Sequence, residues 1–267
     1  MDDYTLTPSS GQKTPQKRLS LVRRAKNTVR LLLDGRVRSL NAVLPFVDGK
    51  KGLEIGGPSD AFQRWLTPVP VYHRVGSLDN CDFSSVTTWT KHADDYRFHP
   101  HKPSGKNIFV DASDLSSIAD QSYDFVLSSH TLEHFANPLK ALYEWKRVIR
   151  PGGALILLLP NYRRTFDHRR SPTPVDHMLE DFRRGTPEDD LFHLPEILQK
   201  HDFSIDPGAK SVEDFERRAL DNLNNRCLHH HVFDESNSRE LLVRSGLEVL
   251  AVELVLPNHI FLLARVP

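Results

Sequence analysis

From Lys51 onward, short apolar runs alternate with longer amphipathic ones. The short runs are GLEI (52–55), PVYHRVGSL (70–78), NIFVDA (107–112), YDFVLSS (123–129) and ALILLLP (154–160). They are rich in branched and aromatic residues and bounded by Gly, Pro, Asp or Asn, which predicts strands. The clearest amphipathic run is NPLKALYEWKRVIRPGG, with Leu139, Leu142, Tyr143, Lys146 and Ile149 at helical spacing. Pro138 suits a first helical turn, and Pro151-Gly152-Gly153 stops the helix. DESNSRELLVRSG reads as a second helix, with Asp234 as N-cap and Gly246 as its stop. LEVLAVELVLP and HIFLLARVP then close the chain as two strands. Strands alternating with helices imply an α/β fold, a doubly wound parallel sheet covered on both faces.

Two stretches break this rhythm. Residues 161–232 are polar and rich in His, Asp and Arg, with no clear strand, and read as a helical insertion. Residues 1–15 are polar and rich in Pro, Ser and Thr, the composition of a disordered tail. Residues 16–50 form a basic helical extension, in which Val22, Ala25, Val29, Leu32 and Leu33 share one face. The first 50 residues hold ten Lys/Arg against four Asp/Glu. That helix either packs on the domain with a solvated basic side or makes a peripheral contact with an anionic membrane or glycolipid surface. The expected units are therefore the tail, the extension, a core over 51–160, the insertion, and a return to the core over 233–267.

Composition narrows the picture. In 267 residues the formal net charge is zero, so no global field marks a nucleic-acid partner. Cys81 and Cys227 are too few for a disulfide framework and form no CxxC pair, which points to a reducing, cytoplasmic setting. No apolar run approaches the roughly 18 residues of a membrane span, and the N-terminus lacks the order of a signal peptide.

The candidate chemistry gathers at strand ends. KGLEIGGPSDAF puts Glu54 in the first strand, directly before Gly56 and Gly57. The next two strands are expected to end at Leu78-Asp79-Asn80 and Val110-Asp111-Ala112, which would line up three carboxylates on one rim. Doubly wound sheets bind ligands beyond those carboxyl ends. Together with YDFVLSSHTLEHFANPLKALYEWKRVIRPGGALILLLP, these residues resemble a class I S-adenosylmethionine-dependent methyltransferase over about residues 50–160 and 233–266. The resemblance implies a Rossmann-like seven-stranded sheet with an antiparallel C-terminal hairpin, and S-adenosyl-L-methionine as cofactor. It implies Gly56 and Gly57 close against the ligand and Glu54 beneath the turn, orienting the methionine amino group. Asp79 and Asn80 would hold the ribose hydroxyls, Asp111 and Ala112 the adenine, with Ser129 at the fourth strand end. The turn reads EIGGPS and departs from the fuller Asp/Glu-x-Gly-x-Gly-x-Gly. TFDHRRSPTPVDHMLEDF and NNRCLHHHVF are similar to a bacterial subset associated with methylation of sugars and polysaccharides.

Methyl transfer to a hydroxyl needs the acceptor in line with the donor and a group to take its proton. Three clusters compete for that role. His130-Thr131-Leu132-Glu133-His134 resembles the Glu-x-x-Glu-His of some metal-dependent relatives, though Mg2+ prefers oxygen ligands, and the same residues serve as pocket structure in metal-free ones. Asp167-His168-Arg169-Arg170 offers a base with an orienting carboxylate, and Asp176-His177 follows. His229, His230 and His231 cannot all face one site if extended, but His229 and His231 could point together. His168 is the leading base candidate with Asp167 as partner; His130, His134 and the 229–231 cluster stand behind it, and His201 is expected to do little. The expected activity is O-methylation of a sugar or glycan hydroxyl on a small-molecule or oligosaccharide substrate. The rivals are a small aromatic or quinone-like acceptor and a catalytically silent cofactor-binding module.

Overall fold

A computed structural model of the protein describes residues 35–63, 67–86, 95–206, 208 and 211–267. The expected tail, most of the basic extension, and the surface contact expected of it lie outside the described residues. The strands are β1 (Lys51–Ile55), β2 (Ser77–Asp82), β3 (Asp95–Tyr96), β4 (Gly105–Phe109), β5 (Tyr123–Ser129), β6 (Ile149–Pro160), β7 (Glu248–Val255) and β8 (His259–Arg265). The helices are α1 (Leu40–Val47), α2 (Asp60–Gln63), α3 (Pro138–Val148), α4 (Val175–Arg184), α5 (Leu194–Lys200), α6 (Val212–Leu220), α7 (Asn222–Asn225) and α8 (Glu235–Arg244).

The strands make one sheet in the order β3-β4-β2-β1-β5-β6-β8-β7. Strands β4, β2, β1, β5 and β6 run parallel. β8 lies antiparallel on β6, and β7 antiparallel on β8, which is the expected closing hairpin. The eighth strand, beyond the seven expected, is the two-residue β3 paired antiparallel at the edge. Strand order reverses between β1 and β5, so a crevice opens beyond their carboxyl ends. A core on one sheet face joins Leu53, Ile55, Val126 and Leu157 to Trp145 and Leu142 of α3 and Leu241 of α8. The opposite face packs Leu78, Phe125 and Ile156 against Val43, Val47, Phe62 and Tyr72. A small third core in the insertion holds Ile197, Phe215, Ala219 and Leu228.

Two local expectations change. The run at 70–78 is a turn and only its end is strand, because Val71, Tyr72 and Val75 are all buried and Val75 N–H donates to the Val71 carbonyl. Burial of neighbours and of a residue four along is a helical turn's spacing, not the alternation of a strand. β2 therefore starts at Ser77 and runs on to Asp82. In α3 the buried positions are Leu139, Ala141, Leu142, Trp145 and Val148, while Tyr143 is exposed. Trp145 turns that face inward by donating its indole N–H to the Ala112 carbonyl at 3.0 Å. α8 begins as its sequence predicts, with a reciprocal capping box between Asp234 and Asn237.

Gly105, at the start of β4, is a close approach of backbone to backbone: a Cβ there would overlap the Leu78 carbonyl oxygen. Neither atom belongs to a flexible side chain. Gly105→Ala is expected to destabilise the protein by about 1–3 kcal/mol in chemical denaturation. A midpoint equal to wild type would contradict this packing.

Candidate active site

A cavity of about 700 Å³ opens beyond the carboxyl ends of β1, β2, β4 and β5, and the insertion covers it. That volume suits a small molecule with a partner. On the sheet side it is lined by Gly56, Asp82, Phe83, Asp111, Ala112, Ser129 and His130. Gly56 has φ +74°, the left-handed region, and a Cβ there would stand 2.9 Å from the Thr131 hydroxyl. The turn thus holds bare backbone against the cavity, as a closely bound ligand requires.

Beneath the turn, Glu54 is fully buried. It accepts from the hydroxyls of Tyr72 (2.7 Å) and Tyr96 (2.5 Å) and from Ser59 N–H (3.0 Å). Burial pushes its carboxyl up to about 7 against these three donors. Glu54 does not line the cavity, and a Cβ on Gly57 would overlap Tyr96 and Glu54. Gly57 N–H is spent on Asn80 Oδ1 (2.9 Å). Glu54, Gly57 and Asn80 therefore shape the turn from below.

Asp79 is not on the rim. Parallel register sets it opposite Leu53, and Cys81 opposite Ile55, so the end of β2 is Asp82. Asp79 instead accepts from Lys106 N–H (2.9 Å) and the Tyr123 hydroxyl (3.1 Å), away from the cavity. Asp82 takes the position expected of it, with the Phe83 ring next along the cavity wall. The register of β2 decided this, and a strand ending three residues later carried the only signal. Asp111 stays on the rim, but its carboxylate is tied to the Arg226 guanidinium, which also bonds Glu188 at 2.6 Å. Arg226 lies over the Phe83 ring, 5.7 Å from its centroid, and so clasps the insertion to the sheet.

The insertion side of the cavity is lined by Glu133, His134, Phe166, Asp167, His201, Asp206, Phe215, Arg218 and His229. Asp167 does not orient His168. It pairs with His229, carboxylate to Nδ1 at 2.6 Å, and with Arg170 at 3.0 Å. Burial would raise the Asp167 carboxyl, but the neighbouring His229 and Arg170 charges hold it below the usual range. Burial likewise opposes a charged His229, yet Asp167 and then Glu133 lift its pKa above the ordinary histidine value. His168 lies outside the cavity, its Nδ1 on the Thr165 carbonyl at 3.0 Å and its Nε2 toward Asp202. One step along the turn separates these roles: Asp167 is buried while His168 is partly open to solvent. His201, expected to be inert, is 4% exposed, bonds Asp206 at 2.9 Å and stacks on Phe166 at 4.4 Å.

His130 and His134 both line the cavity, with different partners. His130 adopts φ +53° at the tip of β5, uncommon for a side chain with a Cβ, and its Nε2 meets His259 Nδ1 at 2.8 Å. Burial pushes it down to about 3, so it is neutral near pH 7. His134 uses Nδ1 on the Leu228 carbonyl at 3.1 Å, and its ring meets that of His229 edge-on at 4.7 Å. Glu133 is fully buried, both oxygens lack a hydrogen bond among the described residues, and burial pushes it up to about 7. Glu133, His134 and His229 each bring a ligand atom within 4.8 Å of the others. Two imidazoles and one carboxylate do not fit Mg2+, which takes oxygen ligands in octahedral geometry. His229 and His231 do not point together: His231 faces His177 and His193 instead.

A doubly wound sheet of this strand order, with a glycine turn after β1, carboxylates past β2 and β4 and an antiparallel final hairpin, is the arrangement that the sequence resemblance implies. Residues 53–157 match the family described as "Methyltransferase domain". Over that stretch, about two fifths of the chain, the protein is similar to methyltransferase domains. A curated relative, probable methyltransferase ltbC of Aspergillus luteorubrus, is 31% identical over 157 residues; the match spans 53% of this chain and 53% of that protein. The chain thus spans about half the length of the curated relative it matches. The structure is also similar to an S-adenosylmethionine-dependent methyltransferase from Mesorhizobium loti, at 17% identity and TM-score 0.49, over 85% of this chain and 95% of that one. A second such enzyme, from Methanosarcina mazei, gives 15% identity and TM-score 0.44, over 84% and 96%. No described helix is long and apolar enough to cross a membrane.

Proposed function

We propose that the protein transfers a methyl group from S-adenosylmethionine to a hydroxyl of a sugar or glycan, with His229 as the general base. The observation that carries this reading is the Asp167–His229 pair in the cavity wall, 2.6 Å apart. Bound S-adenosylmethionine supplies an electrophilic methyl group. Gly56, Asp82, Phe83, Asp111, Ala112 and Ser129 are the residues that would hold it, since they line the sheet side of the cavity. Ribose hydroxyls suit the Asp82 carboxylate, and the Phe83 face suits a base plane.

On the acceptor side, Asp167 holds Nδ1–H of His229 and leaves Nε2 to take the proton of the attacking hydroxyl. The resulting imidazolium is stabilised by the same carboxylate. A carbon or amine acceptor would have less need of such a pair. His201 with Asp206, and Arg218, add polar groups to that wall, while Phe166 and Phe215 offer flat faces for the apolar side of a sugar ring.

The test is a panel of acceptors incubated with the protein and S-adenosylmethionine, read by mass spectrometry for added methyl. Sugars or oligosaccharides should gain the methyl group on oxygen. Turnover of phenols with all sugars inert would replace this reading by the small aromatic one. Methylation on nitrogen or carbon would remove the need for the base.

A further inference from the structure

We propose that His177, His193 and His231, with the Asp181 carboxylate beside them, form a binding site for a zinc-type divalent ion that ties three segments of the insertion together. One ligand atom from each histidine lies within 4.8 Å of the other two. None of the four residues lines the methyl-transfer cavity. They come from three separate segments: His177 and Asp181 from one face of α4, His193 from the residue before α5, and His231 from the stretch leading to α8.

The distances suit a shared ion. His177 Nε2 stands 3.0 Å from His193 Nε2 and 3.4 Å from Asp181 Oδ2. Tetrahedral zinc with bonds of roughly 2.0–2.1 Å places its donors about 3.3–3.4 Å apart. A hydrogen bond between His177 and His193 alone would leave two buried atoms unsatisfied, Asp181 Oδ2 and His231 Nδ1, neither of which has a hydrogen bond among the described residues. Buried polar atoms of that kind call for a partner.

The surroundings also fit. Metal-bound histidines usually donate their second ring N–H to a carbonyl or carboxylate. His231 offers Nε2 to the Ala136 carbonyl at 3.2 Å, with Asp181 Oδ2 3.7 Å from the same nitrogen, and its Nδ1 has no hydrogen bond among the described residues. The Thr186 hydroxyl donates to Asp181 Oδ1 at 3.1 Å and orients that carboxylate. Three nitrogens and one oxygen suit zinc or cobalt better than magnesium or calcium. An ion here would tie α4, the start of α5 and the 229–231 strap to one point, two residues from His229.

The experiment is metal analysis of the full chain purified from zinc-supplemented cells, together with His177→Gln and His134→Ala. One zinc per chain should be found in wild type and in His134→Ala, and lost in His177→Gln. Circular dichroism checks that each variant is folded. Cobalt substitution of the wild-type protein provides a second measurement independent of any variant: it should give the intense visible absorption of a tetrahedral site. Removing the metal with a chelator should lower Tm of wild type but not of His177→Gln. Wild-type protein that takes up neither zinc nor cobalt stoichiometrically would overturn the proposal. So would metal lost on His134→Ala but kept on His177→Gln, which would move the ion to the Glu133–His134–His229 cluster.

Discussion

Replacing His229 with alanine should lower kcat about 10²–10⁴-fold, the usual effect of losing a positioned base, while S-adenosylmethionine affinity stays near wild type. His229 sits on the insertion side of the cavity, so the sheet-side wall of Asp82, Phe83 and Asp111 is left in place. His168→Ala should keep kcat within a few-fold of wild type, because His168 lies outside the cavity. The pH profile adds a sign. A base must be neutral to act, and Asp167, with Glu133 beyond it, raises the His229 pKa. Activity should therefore rise with pH through a limb above the ordinary histidine value of about 6.5. Asp167→Asn removes the charge that favours imidazolium and should move that limb to lower pH while lowering the maximal rate. A His229→Ala enzyme with normal kcat, or an acid limb that ignores Asp167→Asn, would place the base elsewhere, with His201–Asp206 next in line.

Asp82→Ala should weaken S-adenosylmethionine binding roughly 10–150-fold, the equivalent of about 1.5–3 kcal/mol for hydrogen bonds to a charged group. Asp79→Ala should leave cofactor affinity unchanged and lower stability instead, since Asp79 holds Lys106 N–H and the Tyr123 hydroxyl. Calorimetry on the two variants separates them. The reverse pattern, with Asp79→Ala weakening binding and Asp82→Ala silent, would show that the register of β2 does not set the ribose site.

Much of the fold is legible in local pattern because strands and helices write different periods into the chain. The YDFVLSS run is β5 residue for residue, Asn137-Pro138 starts α3, Asp234 caps α8, and the last two apolar runs are the closing hairpin. Each of these is settled by contacts within a few residues: alternation, a cap, a proline, a glycine stop. The glycine turn and the buried Glu54 before it are equally local, which is why the turn at the end of β1 could be read from the chain alone.

The acceptor side could not. Asp167 and His229 are 62 residues apart, and only the way the insertion wraps over the sheet makes them a pair at 2.6 Å. Adjacency in sequence favoured His168, but one step of a tight turn sends it to solvent while Asp167 goes inward. The same holds for His229 and His231, close in the chain yet turned to separate clusters by the Arg170 guanidinium that grips the carbonyls of His229 and His230. Asp79 and Asp82 differ only by register, which a sheet sets through pairing with its neighbours. Sequence by itself determined most of the strands and helices and the glycine turn after β1, because these are built from short-range rules. Which histidine meets which carboxylate was decided by tertiary structure, because a side chain's partner across a cavity depends on packing between segments that share no local pattern.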